Sequence, residues 1–392
     1  MQKKHLLIVI NSLSQGGAER VVSILLERFN QEMDFHIELV LLENEIAYEL
    51  PSTVDVTILS KLNNVDSGMK KTLFIPNLAW KLHRHIKLAK PDLVVSFLYR
   101  ADFVNVLASF FHTIPTIVSE RVNASSTYNN SSLNAIINKF LIKTLYPKAN
   151  MIVNVSEGTK DDLVENFGIK EKKQVVIYNP YDIKKITQLS QADCTLSSAK
   201  KDTIVVVSRF RPIKNIAMIL RAFSRGEDCH HLVLVGDGSD EEMLHRLVYE
   251  LNIEDRVTFI GASDNPYKYM ANAALYISAS RSEGFPNAMV EAMICGCAII
   301  STDCPSGPRE ILAKEQHHDN QLQSGYEKTE FGILVAVDDE DALVEAMQEM
   351  WLDDTMQAYG RKAKERSFDF QLENIFNEYK DTFVRCIEVG RG

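Results

Sequence analysis

Ser280-Arg-Ser-Glu283-Gly-Phe-Pro-Asn287-Ala-Met-Val-Glu291-Ala lies between a short apolar run, Leu275–Ser278, and a helical pattern that continues to Ile294. A strand, a loop and a helix therefore meet here. Pro286 suits the first helical turn, where its missing N–H would lack a partner anyway. The turn behind it offers free backbone N–H groups and a partial positive charge, a fit for a diphosphate. Glu291 is four residues beyond Asn287, on the same helix face, and helical side chains lean back toward the N-terminus. Glu283 sits in the loop. Two carboxylates thus converge beside a phosphate-ready helix end, where they can accept hydrogen bonds from sugar hydroxyls. The plainer alternative is a surface loop glutamate and a capping glutamate.

The same strand–loop–helix rhythm runs outward in both directions. Before it come strand Thr203–Val207, helix Ile216–Phe223, strand Leu232–Val235, helix Glu241–Leu251, strand Val257–Ile260 and helix Pro266–Ala273. After it come strands Ala298–Ser301 and Gly332–Val335, with a polar surface loop expected over His317–Lys328. The first half repeats the pattern: strand Leu6–Ile10, helix Ala18–Phe29, strand Ile37–Leu42, and apolar runs Leu93–Phe97, Thr116–Ser119 and Met151–Val155. Short apolar strands alternating with helices read as parallel sheets covered on both faces, an α/β class. The polar stretch Lys184–Lys201 reads as a linker. We expect a Rossmann-like domain over residues 1–180, a second over 181–368, and a terminal helix over 369–392 packing back on the first. Ligands of such sheets bind beyond the carboxyl ends of the strands, so two sheets facing each other predict an interdomain cleft.

Other strand ends carry candidate chemistry. Val207-Ser-Arg209-Phe-Arg211-Pro-Ile-Lys214 places Arg209 and Lys214 after a strand, where two cations could hold a departing diphosphate or simply be a solvated basic loop. The turn Gly236-Asp-Gly238 allows close backbone approach to a ligand, or serves as a tight turn. In the first half, Gly16 and Gly17 open a helix without the G-x-G-x-x-G spacing of a dinucleotide fingerprint. Glu120 and Arg121 end another strand, as site residues or as a structural ion pair.

Taken together, these motifs resemble the family 4 glycosyltransferases of the GT-B architecture. The resemblance rests on the Gly16-Gly17 loop, Arg209 and Lys214, the Gly236-Asp-Gly238 turn, Glu283-x7-Glu291, Ser306-Gly-Pro-Arg-Glu310 and Gly332-Ile-Leu-Val. It implies a retaining transferase that uses a nucleotide-sugar, UDP-galactose, UDP-GalNAc or UDP-GlcNAc, and no metal or other cofactor. It implies that Glu291 binds the ribose and Glu283 the donor sugar. Arg209, Lys214 and the backbone of Gly17 and of Gly284, Phe285, Pro286 and Asn287 would bind the diphosphate, with Val257 and Ile260 flanking the base. Many relatives carry histidine at Arg121, which keeps that position at the expected reacting centre. Asp339–Asp341 reads as a helix cap before Ala342, not a metal motif. The acceptor implied is a saccharide, with an undecaprenyl-diphosphate-linked glycan in view. Rival readings are a sugar-nucleotide epimerase and a non-catalytic polysaccharide-assembly protein.

Composition limits the alternatives. The 392 residues are 45% hydrophobic and 24% charged, enough for two cores. Net charge is −10, which argues against a nucleic-acid partner. Yet residues 67–156 hold eleven Lys/Arg against three acidic residues, a net +8, leaving −18 elsewhere. Within that stretch Lys81, Arg84, Lys139 and Lys143 lie on basic amphipathic helical patterns. They suit an anionic membrane surface, or are core-facing helices with solvated lysines. The apolar run near the start is too short for a signal peptide, which predicts a cytoplasmic, peripherally bound protein. The cysteines lack zinc-site spacing and read as reduced, packed thiols.

Overall fold

A computed structural model describes residues 3–391 apart from 15, 64, 65, 195, 197–199, 227–229, 315–320 and 353. It divides into two compact units, Met1–Pro180 with Glu373–Gly392, and Tyr181–Leu372.

The first unit holds seven strands: β1 (Lys4–Ile10), β2 (Phe35–Leu41), β3 (Asp55–Ile58), β4 (Leu93–Phe97), β5 (Thr116–Glu120), β6 (Met151–Asn154) and β7 (Gln174–Val176), ordered β3-β2-β1-β4-β5-β6-β7 and all parallel. The inner strands are apolar and buried along nearly their whole length, as a sheet covered by helices on both faces requires. The sequence pattern missed β3 and β7. Both are short edge strands, and Val56 and Ile58 of β3 remain exposed, so no continuous apolar run marks them.

The terminal helix Leu372–Arg391 belongs largely to this unit. Its Phe376 and Phe383 pack on Phe29, with ring centroids 4.6 and 5.5 Å apart. Glu373 meets Arg28 at 3.0 Å, and Lys380 pairs with Glu32. The helix starts at Leu372 and not at Asp369, because Phe368–Phe370 forms a separate turn whose last carbonyl accepts the Tyr181 N–H at 3.0 Å.

The second unit holds β8 (Thr203–Val207), β9 (His231–Val235), β10 (Val257–Gly261), β11 (Leu275–Ser278), β12 (Ala298–Thr302), β13 (Tyr326–Lys328) and β14 (Ile333–Val335), ordered β10-β9-β8-β11-β12-β14-β13. All pairings are parallel except β13 with β14. Strand β13 corrects the loop expected over His317–Lys328: residues 317–320 lie outside the described residues, and Tyr326–Lys328 closes the sheet edge. The expected linker Lys184–Lys201 is also partly helical. Ile183–Ser190 forms a helix capped by Asp182, whose side chain accepts the Lys185 N–H, and whose Ile186 is buried. Its single buried apolar anchor explains why the polar composition hid it.

The order of the parallel strands reverses between β1 and β4 in the first sheet and between β8 and β11 in the second, whose antiparallel edge strand β13 lies beyond β14. At such a switch the loops leave in opposite directions and open a crevice at the carboxyl ends.

Candidate functional site

The loops after β8 and β11 flank the switch point of the second sheet. Lys214, at the end of the first loop, places Nζ 2.6 Å from Glu283 Oε1 in the second. The two side chains are 25% and 13% exposed, so the pair is half-screened from water and its cation and anion are strongly felt. The loops are stitched by backbone as well: the Arg281 N–H donates to Ile213 O, and its guanidinium to Pro212 O, each at 2.8 Å. Asp338 receives both Arg281 and the Asn215 side-chain amide. Arg209 is exposed, and its guanidinium has no ion-pair partner among the described residues.

The helix Asn287–Cys295 begins behind Glu283. Pro286 is its N-cap, one position earlier than expected, and no side chain caps the end. Glu291, one turn in, is buried at 3% exposure beneath that end. Gly284, Phe285 and Pro286 are buried. Two residues hold this loop: Ser306, from the Ser306-Gly-Pro-Arg-Glu310 motif, and Tyr181, to which the sequence reading gave no role. Ser306 Oγ donates to Glu283 O at 2.7 Å, and Tyr181 Oη donates to Asn287 Oδ1 at 2.6 Å. Tyr181 follows the Asn179-Pro180 turn.

The glycine turn after β9 serves the chain itself. Gly236 and Gly238 have φ of +140° and +152°. A Cβ on Gly236 would overlap the Ser208 carbonyl, and one on Gly238 would come within 2.8 Å of Phe210 backbone N and C. The glycines therefore admit the Ser208–Phe210 backbone, and so fix the root of Arg209. Of the residues expected beside the base, Ile260 is half-buried near the carboxyl end of β10. Val257 is not brought there: it starts the strand, at the opposite end of a parallel sheet, and packs in the core.

In the first unit, Gly16 caps the helix Gly17–Gln31 directly after β1, and no side chain caps that end either. Glu120 and Arg121 do not form an ion pair. Glu120 turns inward and is 2% exposed; its Oε1 accepts the Arg121 and Val122 N–H groups at 3.0 and 3.2 Å. Burial pushes its carboxyl up to about 7. Arg121, 8% exposed, donates to Tyr379 Oη at 3.2 Å and to Asn179 Oδ1. The structure thus ties both to the protein interior. Their carboxyl and guanidinium each meet other internal partners, so the alternative reading of a structural ion pair between them is corrected.

The basic helices are better resolved than sequence allowed. In the helix Leu133–Leu145 the buried side is Ala135, Asn138, Ile142 and Leu145, whereas Leu133, Ile136 and Phe140 are 62, 56 and 65% exposed. Lys139 and Lys143 flank that exposed stripe. Arg84 is exposed on the helix Ile75–Ala89, where Trp80 is also 54% exposed; Lys81 is exposed too, but its Nζ donates to Leu59 O at 2.8 Å. Both helices have a core-facing side, and Leu133, Ile136, Phe140 and Trp80 lie outside it.

Asp339 Oδ1 accepts the Ala342 N–H at 3.0 Å, capping the following helix. Among the described residues no cluster of three or more His, Cys, Asp or Glu is placed to hold a metal ion. Cys297 is buried with its Sγ 3.0 Å from Met270 O, and burial pushes the Cys295 thiol up to about 12. No helix among the described residues is long and apolar enough to cross a membrane.

Comparison with known proteins follows the same division. The model for glycosyl transferases group 1 matches residues 190–366, and that for glycosyltransferase family 4 matches residues 15–185. The chain is 36% identical over 370 residues to the Campylobacter jejuni N-acetylgalactosamine-N,N'-diacetylbacillosaminyl-diphospho-undecaprenol 4-alpha-N-acetylgalactosaminyltransferase, covering 94% of this chain and 96% of that one. Among solved structures, sucrose-phosphate synthase from Thermosynechococcus elongatus superposes with a TM-score of 0.81 at 18% identity, over 98% of this chain and 100% of that one. Anabaena HepE in complex with UDP gives 0.74 at 20% identity, over 98% and 100%.

Proposed function

We propose a donor, an acceptor and a location for a chain that belongs to the family 4, group 1 glycosyltransferases: it moves N-acetylgalactosamine from UDP-GalNAc, with retention, to a saccharide carried on undecaprenyl diphosphate. The observation that carries the donor assignment is the Lys214–Glu283 pair beside the uncapped helix end above buried Glu291. Backbone N–H groups and a cation would face the diphosphate, and the carboxylates of Glu291 and Glu283 would accept hydroxyls of the ribose and the sugar. The named activity of the Campylobacter relative supports the sugar and the lipid-linked acceptor, and the UDP bound by the Anabaena protein supports the base. A front-side path accounts for the retention: the departing diphosphate takes the acceptor's proton on the face it leaves. Arg209 and Lys214 stabilise the charge that develops on it.

A thermal-shift screen against UDP-, GDP-, ADP- and dTDP-sugars, with and without EDTA, tests the donor. UDP-GalNAc is expected to raise the melting temperature equally with and without EDTA, and Glu291→Ala to abolish the shift. A shift with GDP-sugars instead, or one that survives Glu291→Ala, overturns the assignment.

The acceptor reading places the first unit on the inner face of the cytoplasmic membrane. The stripe Leu133, Ile136 and Phe140, with Lys139 and Lys143 beside it, supplies apolar area and positive charge on one surface. Flotation with vesicles rich in anionic lipid is expected to carry the protein up. Phe140→Glu is expected to weaken that binding at least about tenfold, the value of one large apolar side chain lost from the interface. Equal flotation of wild type and variant would remove this surface from the proposal.

A further inference from the structure

Beneath the carboxyl end of β5, three fully buried side chains form a run of hydrogen bonds that the donor site does not use. Tyr146 Oη lies 3.1 Å from Asp102 Oδ2 and 3.0 Å from Glu120 Oε2. A phenol hydroxyl has one hydrogen, and an ionised carboxylate can only accept. Tyr146 can therefore serve one carboxylate, and the other contact needs a hydrogen from the carboxyl side. The two carboxyls are not equivalent. Glu120 Oε1 accepts two backbone N–H groups, which favours its charged form. Asp102 is 0% exposed; Ser96 Oγ donates to its Oδ1 at 2.7 Å, and it accepts one backbone hydrogen bond, at Ser119, against the two of Glu120.

We infer that Asp102 is a neutral carboxylic acid that donates to Tyr146, which donates in turn to Glu120, so that Asp102 and Tyr146 act as positioning residues for the Arg121–Val122 turn. The direction of the run is fixed by its ends. Glu120 closes on the backbone that follows β5, and Asp102, on the helix Tyr99–Ser109, supplies the hydrogen.

The surroundings agree. Burial, with the neighbouring Glu120 charge, holds the Asp102 carboxyl well above its ordinary range. The titratable groups facing the run are Tyr99 on the same helix, Tyr128 after the short helix Ala124–Thr127, and Asp162 on the helix Glu157–Phe167. Each is a phenol or a carboxyl, and none is a cation. Arg121 turns its guanidinium to Tyr379 and Asn179, and Arg100, two residues before Asp102, pairs with Glu43. Among the described residues no cation pairs with either carboxyl, so a proton takes that place.

The consequence for pH has a definite sign. A carboxyl raised in the folded state contributes stability that is full below its unfolded value and lost as pH rises through its folded value. For Glu120 that window runs from 4.5 to about 7, and Asp102 extends the loss to higher pH. The assignment goes beyond the proposed donor and acceptor and does not depend on them.

Asp102→Asn tests it, because an asparagine amide can still donate to Tyr146 but cannot titrate. In the infrared difference spectrum of wild type minus variant near neutral pH, the carbonyl stretch of a protonated carboxylic acid is expected. Denaturant stability of the variant is expected to fall less steeply than that of wild type between about pH 5 and about pH 8. If Asp102→Asn does not fold, Glu120→Gln serves: the protonated-acid band is expected to persist in it. Absence of the band from wild type, an unchanged pH slope in Asp102→Asn, or loss of the band in Glu120→Gln would each overturn the inference.

Discussion

Replacing Lys214 with alanine is expected to lower kcat/KM for sugar transfer by about 10²- to 10³-fold, the usual cost of removing one group aimed at charge that develops in the transition state. Two losses combine in this substitution. The cation proposed to face the departing diphosphate disappears, and Glu283 is left as a half-buried carboxylate without the ammonium now 2.6 Å away. Lys214→Arg should rescue only part of the activity, since a planar fork and a compact ammonium satisfy different geometries. Because the two residues share one interaction, the Lys214→Ala/Glu283→Gln double variant should lose less than the product of the single losses. Initial rates with UDP-GalNAc, measured beside melting temperatures, check this. A Lys214→Ala enzyme within threefold of wild type (roughly 0.6 kcal/mol) would leave the pair as a surface tether and nothing more.

Gly238→Ala should be one of the costly methyl groups in the second unit. Its φ of +152° is strained for any L side chain, and the added Cβ runs into the Phe210 backbone. Relief requires parting two loops joined by Phe210 N–H to Asp237 O at 2.6 Å and Asp240 N–H to Phe210 O at 3.0 Å. We expect a loss of about 3 kcal/mol, which for a unit of this size is about 6–12 °C in melting temperature. Arg209 stands on the displaced loop, so UDP-sugar binding should weaken along with stability. A melting temperature within about 2 °C of wild type would contradict the packing described.

The sequence shows most clearly those features that repeat a local pattern. The inner strands, such as Leu6–Ile10 and Leu93–Phe97, are buried on both faces and so are written as unbroken apolar runs. The Glu283-x7-Glu291 element was legible for a similar reason: its spacing, its proline and its position between a strand and a helix are all local. What stayed hidden depends on partners far along the chain. Nothing near Glu120 says that its carboxylate turns toward Tyr146, 26 residues on, and nothing near Arg121 announces Tyr379, 258 residues on. In the helix Leu133–Leu145 the apolar residues outnumber what one face can bury, and periodicity alone cannot say which of them the neighbouring elements cover. The glycines of the 236–238 turn were recognised as points of close approach, but sequence could not say that the approaching group is another stretch of the same backbone.

The first unit is discontinuous: its sheet is complete by Val176, but Phe376 and Phe383, which pack on Phe29, and Tyr379, which holds Arg121, come from the last helix. During synthesis the whole second unit must be translated before these residues exist. At about 5–20 residues per second, the nascent first unit waits on the order of 10–40 s with an open apolar face. Chain order therefore makes the domain that begins first the one that finishes last. The second unit, contiguous and self-contained, can be fully formed while its predecessor is still waiting to close.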